Sequence, residues 1–294
     1  MELTRRDFVK GSAGAAAGIA LLKPLELGKK GNGAQQFDNL SEVAMLIDVS
    51  KCIGCWMCYL ACKRANGLPE VEQLPDPDNP PELAPATWTT LFTKKESGEW
   101  HFRKHACMHC TDAACVKVCP TGALHYNELG FVQFDRDNCS GCGYCTQVCP
   151  FEVPQLQENK VSGDCQMDKC TFCIDRLKKG MQTACAEACP TGSIKFGKRS
   201  ELLEEGQQRV AELQKTNPKA CFYGGSELGG LHVMYVLEDS PEAEGLPTDP
   251  KVPAAAAVHD VIQWVGAGAA VAAVAGFGLN YLVARTRIAR EGKE

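Results

Sequence analysis

Basic charge is scarce in this chain: 31 lysines and arginines are outnumbered by 36 aspartates and glutamates, leaving a formal charge of -5 and a pI near 5.8. No basic patch interrupts the middle, which excludes a nucleic-acid partner, because such a partner demands a basic face. No catalytic nucleophile and no substrate pocket stand out either, so the chain is not read as an enzyme by itself. Cysteine, at 18 of 294 residues, stays below the density of a small disulfide scaffold. A chain of this length with 45% hydrophobic residues builds a core without bridges. Two compact units with appendages are the expectation.

Charge is also absent from Val261 to Ala284, twenty-four residues that would extend roughly 36 Å as a helix. This stretch is long enough to cross a membrane. Arg285, Arg287, Arg290 and Lys293 follow it, so the positive-inside rule puts the C-terminus in the cytoplasm and the body outside. Gly268, Ala272 and Gly276 form a stripe of small residues suited to a second transmembrane helix. At the other end, Arg5 and Arg6 precede the short, weakly apolar GSAGAAAGIALL, Gly11 to Leu22, which reads as a twin-arginine export signal. An ordinary N-terminus with a chance arginine pair is the bland alternative, and no clean small-x-small cleavage site follows.

The abundant cysteines are spaced, not scattered. KCIGCWMCYLAC gives Cys52, Cys55, Cys58 and Cys62, with two, two and three intervening residues. DNCSGCGYCTQVCP repeats that spacing at Cys139, Cys142, Cys145 and Cys149. CMHCTDAACVKVCP sets Cys107, Cys110, Cys115 and Cys119, and CTFC with CAEACP sets Cys170, Cys173, Cys185 and Cys189. Three thiolates at such short spacing can wrap three irons of one cubane. The fourth, followed by proline in three of the quartets, ligates the other cluster of a pair in the bacterial ferredoxin pattern. Four quartets therefore predict four [4Fe-4S] clusters. Structural zinc leaves the extra cysteine of each quartet, and the proline that follows it in three, unexplained. Clusters are inserted in the cytoplasm, so folding precedes export, and the twin-arginine route carries folded cargo. Cys165 and Cys221 fit no quartet and read as free thiols, buried or in loops.

The remaining pattern is short strands and loops. Ala44 to Val49 reads as a strand, Ala123 to Tyr126 with Phe131 to Phe134 as a hairpin, and Trp88 to Lys104 as a second hairpin. Glu70 to Ala86 is a proline-rich surface excursion, and Ser200 to Lys215 a surface helix capped by Ser200. His105 and His109 read as packing or surface residues, and Trp56 as a cover for its cluster.

CMHC, CGYCTQVCPFEVPQL, KCTFCIDR and ACPTGSIKFG, in this order, resemble the four-cluster electron-transfer subunits that accompany molybdopterin oxidoreductases, over roughly Met45 to Lys198. GGLHVMYVLEDSPEAEGLPTDP, from Gly229, followed by one apolar helix, is similar to the beta subunit of membrane-bound formate dehydrogenase. The resemblance implies an α+β fold of two interleaved ferredoxin-like units with inserted hairpins and loops, plus one C-terminal transmembrane helix. It implies that Cys52, Cys55 and Cys58 share a cluster with Cys189, and Cys170, Cys173 and Cys185 share one with Cys62. Likewise Cys107, Cys110 and Cys115 would join Cys149, and Cys139, Cys142 and Cys145 would join Cys119. The implied partners are a molybdenum or tungsten catalytic alpha subunit, a membrane gamma subunit with haem b that reduces quinone, and membrane lipid. The expected layout is a signal segment at 1–35, a four-cluster body at 44–198, a surface helix and connector at 199–260, the membrane helix at 261–284 and a basic tail at 285–294. An equivalent subunit of a periplasmic hydrogenase or sulfur-compound reductase is the alternative within the class. A zinc-stapled, membrane-anchored binding protein is the alternative outside it.

Overall fold

The computed structural model describes residues 42–158 and 165–291; the expected signal segment at 1–35 and the last three residues of the tail lie outside that set. A four-stranded sheet organises the body. Its strands are β1 (Val43–Asp48), β8 (Ile194–Lys198), β9 (Cys221–Tyr223) and β10 (Val233–Leu237), in the order β8-β1-β10-β9. β1 pairs parallel with β10 and antiparallel with β8. The continuous apolar runs Val43–Ile47 and Val233–Leu237 suit strands covered on both faces. Ala44, Leu46, Met234 and Val236 meet Leu202 and Val210 of the helix α6 (Arg199–Leu213). On the other face Met45, Ile47, Val233 and Tyr235 enter the main core.

That pairing decides where the quartets go. β1 ends four residues before Cys52 and β8 begins five residues after Cys189, so their antiparallel ladder draws the first and last quartets together. Three hairpins hang from this frame. β2 (Thr89–Glu96) and β3 (Glu99–Ala106) turn at Ser97-Gly98, both with positive φ, the conformation that a two-residue hairpin loop demands. β4 (Leu124–Tyr126) pairs with β5 (Val132–Phe134), and β6 (Gln155–Glu158) with β7 (Cys165–Asp168). Helices within the quartets are short: α1 (Met57–Ala65), α2 (Ala114–Lys117), α3 (Tyr144–Val148), α4 (Ile174–Leu177) and α5 (Ala184–Glu187). The proline-rich excursion carries only an isolated bridge between Ala84 and Thr87.

Two expectations need correction. Ser200 does not cap α6: the helix starts at Arg199 without a side-chain cap, and the Arg199 N–H donates instead to the Glu42 carbonyl at 2.8 Å. The main chain entering β1 thus satisfies the first orphan donor of the helix. Cys165 and Cys221 are not in loops; each opens a strand, β7 and β9, and each is half-buried. The C-terminal helix α7 (Ala254–Glu291) runs for 38 residues. Its foot is seated where Ala256 joins Ala114, Val118 and Val148. Among the described residues, no helix is long and apolar enough to cross a membrane; the side chains at 261–264, 267, 270, 279 and 282 lie outside that set.

Candidate iron-sulfur centres

All eighteen cysteines carry free thiols. Sixteen stand in four groups. Cys52, Cys55 and Cys58 share with Cys189 the wall of a cavity enclosing about 360 Å³, part of it open to solvent. Cys139, Cys142 and Cys145 share with Cys119 a second one of about 330 Å³. Cys62 lies within electrostatic reach of Cys185 and Cys173, and Cys170 within reach of Cys62 and Cys173. Cys110 is reached by Cys107, Cys115 and Cys149. Neighbouring groups also lie within reach of one another, through Cys58 with Cys185, Cys170 with Cys107, and Cys115 with Cys145. The four groups therefore follow one another as a single file.

The first Cys-x-x-Cys loop of each quartet reaches this arrangement through one backbone feature. Its third residue lies in the left-handed region: Gly54 at φ 65, His109 at 48, Gly141 at 67 and Phe172 at 57. That turn aims main-chain N–H groups at sulfur, as where Phe172 N–H donates to Cys170 Sγ at 3.4 Å. Glycine makes the conformation free of steric penalty, and the two glycines also admit a close neighbour. A Cβ on Gly54 would meet Phe102 ring carbons at 2.5–2.6 Å, and one on Gly141 the Cys165 carbonyl carbon at 2.7 Å. At His109 and Phe172 the conformation costs about 1–2 kcal/mol per residue. Here the two rings pack on each other, with centroids 4.8 Å apart, and both are fully buried. Burying a phenylalanine contributes about 1.5–3 kcal/mol, enough to offset the strain. His109 Nδ1 lies 3.0 Å from the Val132 carbonyl, so the proton sits on that nitrogen, and Nε2 has no partner. Packing is thus the role of His109, and burial foremost, with Lys169 and His232 nearby, keeps it neutral.

The electrostatics fit a group that replaces protons with iron. Burial, and then neighbouring thiolates, push the Cys62 thiol up to about 11 and Cys145 to about 12. Burial also raises Cys149 to about 11, although main-chain N–H donors partly counter it. Thiols raised in this way keep their protons at neutral pH, and binding iron displaces those protons. Two cations lie in their midst, Lys104 and Lys169, each 1% exposed. Burial opposes the charge on Lys104, but Cys185, Cys170, Tyr235 and Cys58 outweigh it and hold the ammonium above the usual lysine range. Lys169 Nζ donates to the carbonyls of Val132 and Cys170, both at 3.1 Å. Sequence reasoning missed both lysines. The available signal was phase, since Lys104 shares its strand face with Phe102 and Ala106.

Trp56, 3% exposed, lines the cavity of the first group, while Ile53 beside it is 63% exposed. Among the described residues, no three His, Cys, Asp or Glu stand close enough to hold a single metal ion. A zinc staple would need such a set, because Zn–S bonds of about 2.3 Å gather their thiolates tightly. Sixteen thiols in four groups, most of them buried or half-buried and set too openly for one ion, fit larger clusters.

Comparison with known proteins agrees. The 4Fe-4S dicluster domain family matches residues 51–123 and, in a second form, residues 98–199. Two dicluster domains together hold four [4Fe-4S] clusters. The twin-arginine translocation signal family matches residues 2–21, which implies export to the periplasm. The iron-sulfur subunit of the nitrate-inducible formate dehydrogenase of Escherichia coli is 43% identical over 261 residues, 85% of this chain and 87% of that one. The formate dehydrogenase iron-sulfur subunit of Haemophilus influenzae is 40% identical over 258 residues, 82% and 81% of the two chains. The B subunit of the anaerobic dimethyl sulfoxide reductase of Escherichia coli is 39% identical over 172 residues, 56% of this chain and 78% of that one. These relatives are subunits of larger redox complexes, which implies a catalytic partner. Similarity that runs over more than four-fifths of the chain, on a fold that lines up four thiol groups, means that the chain belongs to the family of formate dehydrogenase iron-sulfur subunits, which transfer electrons and do not themselves catalyse.

Proposed function

We propose that this chain conducts electrons from a formate-oxidising molybdenum or tungsten alpha subunit to a membrane gamma subunit with haem b, and so to quinone. The single file of four thiol groups carries the reading. Cys52, Cys55, Cys58 and Cys189 would hold the first cluster, and Cys62, Cys170, Cys173 and Cys185 the second. Cys107, Cys110, Cys115 and Cys149 would hold the third, and Cys119, Cys139, Cys142 and Cys145 the fourth. When bound, these clusters supply four one-electron carriers. The protein itself excludes water with Trp56, His109 and Phe172 and fixes the spacing. Exposed Ile53 marks the end that would face the catalytic subunit. At the other end Cys142 is exposed, as is Tyr144 at 48%. Val118, in the wall of that last cavity, packs against the foot of α7, which supports a membrane-facing exit.

In this reading α7 is a single-pass anchor, with the body in the periplasm and the basic tail in the cytoplasm. Val265, Val271, Val274, Phe277, Tyr281 and Val283 are all exposed, and at 100° per residue they point to most sides of the helix. A helix apolar all round belongs in lipid or among other helices. Gly268 and Gly276 have nothing within 4 Å of an added Cβ, leaving room for a helix of the gamma subunit. The layout of signal at 1–35, body at 44–198, connector at 199–260, span at 261–284 and tail at 285–294 belongs to the same proposal.

The twin-arginine match favours, as a second reading, an equivalent subunit of a periplasmic hydrogenase or sulfur-compound reductase. Formate leads because similarity to the formate dehydrogenase subunit spans 85% of the chain and to the sulfoxide reductase subunit 56%. In the assembled complex, formate should bleach the visible iron-sulfur absorption and hydrogen should not; the reverse would transfer the assignment. The ligand sets have their own test in electron paramagnetic resonance of the reduced protein. Cys189→Ala should perturb the same signal as Cys52→Ala, and Cys221→Ala none. If Cys189→Ala matched Cys170→Ala instead, each quartet would hold its own cluster and the interleaving would fail.

A further inference from the structure

Lys104 is a buried lysine surrounded by thiols. β3 carries it inward opposite Leu91, where it lines the cavity of Cys52, Cys55, Cys58 and Cys189. Its charge also acts on Cys62, Cys170 and Cys173 of the second group. The groups acting on it most strongly are Cys185, Cys170, Tyr235 and Cys58, and none of these is a carboxylate. One ammonium thus stands between two thiol groups, with no acidic side chain among its main partners to absorb its charge. Lys169 differs, since its ammonium is committed to two main-chain carbonyls.

We propose that Lys104 is a potential-setting residue, a fixed counter-cation shared by the first and second cluster sites that raises both reduction potentials relative to their values without it. The proposal rests on the ligand sets given above. Reduction brings one electron to a site already bearing four thiolates, and net charge and burial are among the factors that set the potential of such a site. A cation fixed beside it stabilises the reduced form, and more strongly in a dry interior than in water, because the Coulomb energy varies inversely with the dielectric constant. Favouring electron occupancy at the two sites nearest the catalytic partner would help to withdraw electrons from it.

The test is a redox titration followed by electron paramagnetic resonance on the assembled complex. The four signals are assigned beforehand from their loss in Cys52→Ala, Cys170→Ala, Cys107→Ala and Cys139→Ala. In Lys104→Met the first two should become harder to reduce. At fixed poise their reduced-to-oxidised ratio should fall about tenfold, equivalent to about 59 mV for a one-electron couple. The other two should change far less, Lys104→Arg should restore the first two, and Lys94→Met, which removes a half-exposed charge paired with Glu96, should move none. Unchanged first and second signals, or an equal shift of all four, would overturn the proposal. Should Lys104→Met not load fully, Lys104→Gln replaces it. Loss of the first two clusters in both neutral variants, with retention in Lys104→Arg, would assign the residue to cluster assembly and equally overturn the potential-setting role. An unsubstituted complex holding fewer than four clusters would instead count against the functional reading.

Discussion

Gly141→Ala tests the claim that left-handed loops position the thiols. Gly141 lies between Cys139 and Cys142 at φ 67, and an added Cβ would meet the Cys165 carbonyl carbon and Cβ, both at 2.7 Å, with the carbonyl oxygen nearer still. The left-handed conformation alone costs a non-glycine residue about 1–2 kcal/mol. Because the obstructing atoms are largely main chain, β7 must recede, and forced overpacking adds about 1–3 kcal/mol. The sum, about 2–5 kcal/mol, is a large share of the roughly 5–15 kcal/mol by which a domain is stable. Gly67→Ala supplies the comparison, since Gly67 has φ 62 but nothing within 4 Å of an added Cβ. It pays for conformation only. Iron content, electron paramagnetic resonance and denaturant midpoints should then separate the two. Gly141→Ala should lose or distort the fourth cluster, held by the loop that is displaced, while the other three persist. If it kept four clusters and unfolded at the same denaturant concentration as Gly67→Ala, the steric reasoning would be refuted.

Replacing Arg5 and Arg6 with lysine should strand cluster-loaded protein in the cytoplasm; an unchanged periplasmic yield would reject the export assignment. Ending the chain at Asp260 should release a soluble brown subunit that still binds its catalytic partner, and its persistence in washed membranes without the other subunits would count against the anchor. Acid should weaken the fold partly through His232, which burial depresses to about 4 and whose Nδ1 lies 2.6 Å from the Val43 carbonyl. A histidine held neutral in the fold binds its proton more readily when unfolded, so stability falls as pH drops from about 6.5 to about 4, by about 3 kcal/mol in all. In denaturant titrations of the loaded protein, His232→Asn, which can keep a donor to Val43, should flatten that slope; an unaltered slope would assign the acid sensitivity elsewhere.

The cysteine spacing made the four quartets legible because it is local chemistry: three thiols within a few residues can reach one cluster only by wrapping it, whereas the fourth thiol of each group came from the family resemblance alone. Strand β1 and both hairpins were legible for a similar reason, since each is a short apolar or alternating run whose signal is local to the sequence. The parallel partner of β1 was not legible. β10 lies near residue 235, and nothing local to either strand encodes a pairing between Met45 and Val233. The absent Ser200 cap has the same origin, because the acceptor at Glu42 is remote in sequence. Lys104 and Lys169 were passed over because lysine is ordinarily a surface residue, and only the thiols around them explain their burial.

The same long-range pairing gives a physical reason for loading before export. Cys58, Cys62, Cys107, Cys170 and Cys185 belong to the main core together with Met45, Trp56, Phe172 and Tyr235. Thiols that would anchor clusters therefore occupy places that aliphatic side chains fill in an ordinary core. Without iron this centre consists of small polarisable groups around Lys104, and a buried cation with its thiolate partners missing is strongly destabilising. Binding free energy in such a system is folding free energy. β1, β8 and β10 come from opposite ends of the body, so the sheet that frames the first and last quartets joins segments remote in sequence. A protein exported before loading would reach the periplasm with eighteen free thiols and an incomplete core, open to disulfide formation. A signal for folded cargo thus follows from where the fold puts its cysteines.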